Sequence, residues 1–465
     1  MQDQNTSETG TVDFEGADGA YALNKGATEA ILAAVYAQDK VALVALLGPL
    51  HSADIADLLE QVSGAERTEF LTLWGTEIDG EVLSELDENL RGELIEGMSV
   101  EVMTEAFKDL ESDDVVDLIE DLEEPEKVRV LDALDDAERV VVEQALQYPE
   151  ETAGRLMQRE LVTAPGHWSV GEMIDFLRAA TDLPDRFYDA VIVDPKLQPI
   201  GKVCLSSLLM SQRDTMLAKI MDENFQISPA AQTQEDVAYA FNQYHMVSAP
   251  VVDDMGRLIG VITIDDAMDV LDEEAEEDLK LLAGVGDESL TDTVLDTTRQ
   301  RFPWLAVNLV TAVIASIVIA QFSSVIQAIV ALAVLMPIVA SMGGNAATQT
   351  MTVAVRALAT KDLTSANAMR IIRREVMVGL LNGLVFAVII GIVGLIWFGS
   401  PMLGVVLGLA MVVNLLVAGM AGILIPITLT KLNVDPALAS GAFVTTVTDV
   451  IGFFAFLGLA AVMLI

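Results

Sequence analysis

Behind Arg299 the chain contains five stretches, roughly 302–322, 325–357, 376–399, 402–430 and 437–465, each long and apolar enough to cross a bilayer. About 20 such residues span the ~30 Å of hydrocarbon. Lipid offers no partner to backbone polar groups, so each stretch must be a helix that closes its own hydrogen bonds. The charges divide at the same place. From Arg299 on there are 8 basic and 4 acidic residues, whereas residues 1–298 hold 18 basic and 66 acidic ones. A five-helix membrane domain therefore follows a very acidic, water-soluble half. A surface so negative repels phosphate, which excludes nucleic acid as a partner.

Basic residues set the direction of the spans. Arg299 and Arg301 precede the first; Arg356, Lys361, Arg370, Arg373 and Arg374 lie between the second and third; Lys431 lies between the fourth and fifth. The other connectors have none. The positive-inside rule predicts a multi-pass protein of the inner or plasma membrane, with its amino-terminal half cytoplasmic and its carboxyl terminus outside. Cys204 is the one cysteine, so no internal disulfide is expected. Residues 1–27 read as a disordered acidic leader without the basic and apolar regions of a signal peptide.

Two features of the spans point to chemistry. The second is overlong, and its middle, LMPIVASMGGNAATQT from Leu335 to Thr350, joins Pro337 to Gly343 and Gly344. This predicts a break or a close backbone approach; tight helix packing is the equally weighted alternative. The second feature is Asp449, which interrupts an otherwise uncharged run from Pro436 to Ile465. A carboxylate at that depth costs roughly 2.5–3.5 kcal/mol and must face a partner, water or an ion. Apart from Arg356, at the very end of the second stretch, no Lys, Arg or His lies within the spans to pair with it. One reading is a protonated Asp449 bonded to Thr445 or Thr446; the other is a cation stop in a wet path, with Thr445 one turn below. Spans without His or Cys favour hard cations, and a single acid per chain suits Mg²⁺, which keeps its waters, better than Ca²⁺. Asp435, beside Pro436, is a candidate second stop, with a turn cap as its plainer role.

Two internal repeats organise the soluble half. The segments from Asp54 and Asp114 match at an offset of 60 residues, with apolar Ile55, Leu58, Leu59, Val62 and Val115, Leu118, Ile119, Leu122 at helical spacing. They predict an all-α superhelical domain over 28–150, a contact or regulatory module. The segments from Ala190 and Ala249 match at an offset of 59, each a strand, a turn and a second strand bearing Gly201 or Gly260. These look like tandem α+β CBS domains over 151–212 and 213–271. An acidic connecting helix over 272–300 then leads to the transmembrane domain over 301–465. Six of residues 272–278 are acidic, and like charges three and four apart destabilise a helix unless cations bind.

Taken together, GGN at Gly343 to Asn345, VDPALASG from Val434 and TTVTDV from Thr445, set behind this domain order, resemble the MgtE family of magnesium channels. The resemblance covers about 28–465. It implies a homodimer whose pore, lined by the second and fifth spans, holds hydrated Mg²⁺ at Asp449. It also implies feedback, in which Mg²⁺ between the CBS domains and the connecting (plug) helix shuts the channel. By position the regulatory ligands would be Glu235, Asp266, Asp269, Glu274, Glu277 and Asp278. Some members of the family bind ATP at the CBS pair, and Mn²⁺ and Co²⁺ stand as further candidate ions. Gly441 and Thr233 depart from the polar or acidic residues a member can carry there.

The rival readings fare worse. A membrane metalloprotease needs a histidine pair on a helix, and His51, His167 and His245 all precede the membrane, so no enzyme is expected. An anion channel would not place a carboxylate in mid-path. A proton-coupled cation or solute carrier using Asp449 as its proton site is the surviving alternative.

Overall fold

A computed structural model gives the fold and describes residues 23, 25–108, 110–120, 122, 124–180, 183–184, 186–286 and 294–465. Most of the expected leader, and residues 287–293 of the expected connecting segment, lie outside the described residues. The first helix starts at Lys25, inside the stretch expected as leader. The chain divides into two compact units, residues 1–271 and 272–465.

The first unit opens with short helices running from Lys25–Tyr36 to Asp136–Ala145. Their starts are fixed locally. Ser63 and Asp135 accept hydrogen bonds from backbone N–H groups three residues on, while Glu66 and Glu138 reach back to the N–H of the cap. These capping boxes satisfy donors that the first turn leaves open. Helices this short are marginal alone and depend on a buried face. Ile55, Leu58 and Leu59 of one repeat and Val115, Leu118 and Ile119 of the other are all buried in one core with Phe70, Trp74 and Phe107. Full burial of each such side chain is worth roughly 1.5–3 kcal/mol. The repeat is thus a packing unit.

Two three-stranded sheets follow. In the first, β1 (Thr163–Pro165) runs parallel to β2 (Asp189–Val193), which pairs antiparallel with β3 (Pro199–Cys204). The second repeats this with β4 (Ser228–Pro229), β5 (Ser248–Val252) and β6 (Leu258–Thr263). Asp189 pairs with Cys204 as Ser248 pairs with Thr263, and both sheets bulge at the same place, at Ile192/Val193 and Val251/Val252. Gly201 and Gly260 are required because another segment crosses there. A Cβ on Gly201 would lie 3.1 Å from Asp222 O, and one on Gly260 would lie 2.8 Å from Gln158 O. Asp189 joins the two sheets, accepting from Lys202 Nζ at 2.7 Å and from Ser248 Oγ at 2.8 Å.

In the second unit, five described helices are long and apolar enough to cross a membrane: Thr297–Gln321, Ala331–Ala359, Ala368–Phe398, Pro401–Lys431 and Gly441–Met463. The expected second span is two helices, a short Ser323–Ala328 and the long Ala331–Ala359, so the interruption falls at Ile329 and Val330. The helix runs on through Pro337 and the two glycines, and the packing alternative holds. Proline removes a single donor, which an otherwise well-held helix tolerates. The third span begins at Ala368, earlier than expected, and takes Arg370, Arg373 and Arg374 into its first turns. The fourth span is the hub. It packs on the second, third and fifth and is the most buried, whereas the first, which packs on the fifth, is the least buried. Small residues permit this closeness: a Cβ on Gly379 would lie 2.6 Å from Leu415 O, and one on Gly404 2.5 Å from Gly391 O.

Candidate cation path and acidic cleft

Asp449 lies in the middle of the fifth span, half-buried rather than sealed. Among the described residues no hydrogen bond or ion pair forms to its carboxylate. The neighbouring hydroxyls serve their own helix instead. Thr445 Oγ1 donates to the carbonyl of Gly441 and, at 3.3 Å, to that of Ala442. Thr446 donates to Ala442 O, and Thr448 to Thr445 O at 2.9 Å. The reading in which a neighbouring threonine satisfies a protonated Asp449 is therefore not realised. The second span meets the fifth here, since a Cβ on Gly344 would lie 3.3 Å from Thr445 Cγ2. Asn345, the next residue, is exposed.

At the amino-terminal end of the fifth span, exposed Asp435 accepts from Ala437 N at 2.8 Å and so caps the turn Ala437–Ala439. It also faces Asp278. Burial, and then the Asp435 charge, push the Asp278 carboxyl above the ordinary range, with Arg356 pulling the other way. Two carboxylates thus repel each other beside one guanidinium.

Asp266, Asp269, Glu274, Glu277 and Asp278 all lie on one helix, Ile264–Ala283. Asp266 Oδ2 accepts from Thr263 Oγ1 at 2.7 Å and Thr263 N at 3.2 Å, fixing the helix start. Glu274 is half-buried and Glu277 exposed. Lys280 pairs with Glu276 at 2.9 Å, one turn away. Glu235 is exposed in the first turn of Gln234–Tyr244 and does not line the cleft that holds Asp266 and Asp269.

That cleft, about 830 Å³ within the first unit, is lined by ten carboxylates against three Lys or Arg side chains. Burial raises Glu111 to about 7, and Glu160, Asp266 and Asp265 push the same way. Burial also raises Asp114 to about 7, followed by the charges of Glu111 and Asp117. Asp266 is raised to about 7, chiefly by burial, against the Thr263 hydrogen bonds. Asp113 is buried and displaced the same way, with Asp266 the first of the charges acting on it. Glu160 holds the wall in place, accepting from Ser112 Oγ at 2.7 Å. No three described carboxylates stand as a ready metal-ligand shell. A divalent cation that screened this repulsion would keep most of its own waters, as Mg²⁺ does.

Sequence reasoning singled out Asp266 and Asp269 and missed Glu111, Asp113, Asp114 and Glu160. The available signal was ESDD, from Glu111 to Asp114, at the start of an apolar-faced helix. It passes for ordinary first-turn acids.

Comparison with known proteins now bears on these sites. The family pattern MgtE, described as a divalent cation transporter, matches residues 336–459. The MgtE intracellular N domain matches 50–151, and the CBS domain matches 217–273. The magnesium transporter MgtE of Enterococcus faecalis is 35% identical over 319 residues, 69% of this chain and 70% of that protein. The magnesium transporter MgtE of Thermus thermophilus is 35% identical over 322 residues, 68% of this chain and 71% of that protein. Among solved structures, the cytosolic domain of the Mg²⁺ channel MgtE in complex with ATP is 32% identical, with a TM-score of 0.49 over 52% of this chain and 99% of that one.

Proposed function

Because the chain belongs to the MgtE family of magnesium transporters, we propose that it carries Mg²⁺ across a cell membrane with Asp449 as the mid-membrane stop. The observation that carries this reading is a half-buried carboxylate in mid-span with no hydrogen-bond or ion-pair partner among the described residues. Such a charge is stable there when water and a passing cation offset its cost. Thr445 lines the same face one turn away, and the ion crosses with most of its shell. Mn²⁺ and Co²⁺ meet the same oxygen chemistry and compete by geometry and hydration. The relatives are named as transporters, so no enzyme activity is assigned.

In this reading two copies associate so that their Asp449 carboxylates face a shared path and supply −2 at its centre. The amino-terminal half faces the cytoplasm and the carboxyl terminus the outside, following the basic connectors. Cytosolic Mg²⁺ closes the path by binding among Glu235, Asp266, Asp269, Glu274, Glu277 and Asp278. Support comes from the repulsion already present: Asp278 against Asp435, and Asp266 against Asp113 and Asp114. Mg²⁺ that bridged such pairs would favour whichever arrangement holds them close. ATP at the CBS pair would act as a second effector on the same module, read by titrating ATP against Mg²⁺ flux. The proton-coupled carrier is not favoured by relatives named for magnesium.

The test is Mg²⁺ influx into vesicles holding the purified chain. Asp449→Ala is expected to reduce influx roughly 100-fold, the order of an interaction worth about 3 kcal/mol. Full influx through that variant refutes the assignment.

A further inference from the structure

Asn414 is the sole polar side chain of the fourth span between Met402 and Ile427. It is fully buried at 0% exposure. Its Nδ2 donates to the carbonyl of Val339 on the second span at 2.7 Å. Its Oδ1 is buried and, among the described residues, receives no hydrogen bond. Turning the amide over would set Oδ1 against the Val339 carbonyl, so the orientation is determined.

The amide occupies a space made by two glycines on two other helices. A Cβ on Gly343 of the second span would run into Nδ2 and lie 2.8 Å from Cγ and 2.9 Å from Oδ1. A Cβ on Gly452 of the fifth span would lie 2.9 Å from Cγ, Nδ2 and Oδ1 alike. Gly343 adjoins Gly344, which faces Thr445, and Gly452 is one turn beyond Asp449. One amide of the fourth span therefore touches both helices that carry the ion-facing residues, at the level of those residues.

We propose that Asn414 is a positioning residue for transport: its amide keys the second span to the fifth and so sets the face on which Asp449 and Thr445 meet the ion. The proposal rests on the path reading above. Packing alone does not explain an amide here. A leucine would fill the notches, whereas a buried acceptor left unpaired costs about 1–3 kcal/mol. What the amide adds is direction, because the bond to Val339 fixes the rotation of the fourth span against the second.

Asn414→Asp and Asn414→Leu in vesicles test this. Asp has the shape of Asn; its neutral carboxyl can donate to the Val339 carbonyl, and its ionised form is repelled by it. The spans packed around it add no other titratable group: there is none from Ala331 to Val355, Val376 to Phe398 or Pro401 to Thr430, and Asp449 alone on the fifth. Wild type measured at each pH accounts for Asp449. The ratio of Asn414→Asp flux to wild-type flux is expected near one at pH ~5.5, falling about tenfold by pH ~8.5 with a changed half-saturating Mg²⁺ concentration. Asn414→Leu is expected about tenfold low at every pH. A ratio that does not move with pH, wild-type flux in Asn414→Leu, or loss of folded Asn414→Asp at either pH overturns the proposal. If Asn414→Leu fails to fold, the ratio alone decides. A pH-dependent ratio together with full flux in Asp449→Ala would retain Asn414 and reject Asp449.

Discussion

Asp266→Asn should remove one share of the pH dependence of stability of the soluble half, with Glu111, Asp113 and Asp114 supplying the rest. Burial and neighbouring carboxylates raise Asp266 from an ordinary 3.8 to about 7. The folded state therefore binds its proton more tightly than the unfolded one. The stabilisation this gives is complete below pH ~4 and is lost as pH rises through about 7. A displacement of that size corresponds to at most about 4 kcal/mol, shared in part with Asp113. At 2–4 °C per kcal/mol for a unit of this size, the unfolding temperature should drop by on the order of 10 °C between pH ~5 and ~8. Millimolar Mg²⁺ should restore several degrees at pH 8.5 and almost none at pH 5.5, where the cleft is protonated. The assay is thermal unfolding of the full chain in detergent, following Trp74 and Trp168 with Trp304 and Trp397 replaced by Phe. An unchanged pH slope in Asp266→Asn, or an equal Mg²⁺ effect at both pH values, would refute the reasoning.

Neutralising Glu274, Glu277 and Asp278 together should leave Mg²⁺ flux running at internal Mg²⁺ that stops the wild type; retained shut-off, seen by loading vesicles with Mg²⁺, would exclude a closing role for these acids. Lys202→Met should cost the soluble half about 3–5 kcal/mol, because it strands buried Asp189 with Ser248 as its remaining partner. Denaturant midpoints of the variant and of Asp189→Asn/Lys202→Met measure this. A single variant within 1 kcal/mol of wild type would count against a paired charge at that site.

The five spans were legible because lipid enforces a long, uncharged helix wherever a chain crosses it. The CBS pair was legible because each strand, turn and glycine occurs twice at one offset, down to the crossing that needs Gly201 and Gly260. The cleft was not. Glu111, Glu160 and Asp266 are far apart in the chain, and tertiary packing, not spacing, turns ordinary acids into buried ones. Pro337 misled because a helix end depends on what holds the next turn, and neighbouring spans hold it. Asn414 gave no signal, since an uncharged amide in a membrane helix acquires meaning only when Gly343 and Gly452 are seen on either side.

The central position of the fourth span has a consequence for biosynthesis. Spans emerge from the ribosome in order, yet the second and third make little contact with each other and pack mainly on the fourth. Until residues 401–431 have been translated, the earlier helices wait side by side in lipid with their glycine notches unfilled. Assembly is then gated by one late segment, and a lesion there would strand two correctly inserted helices, the second and third, at once.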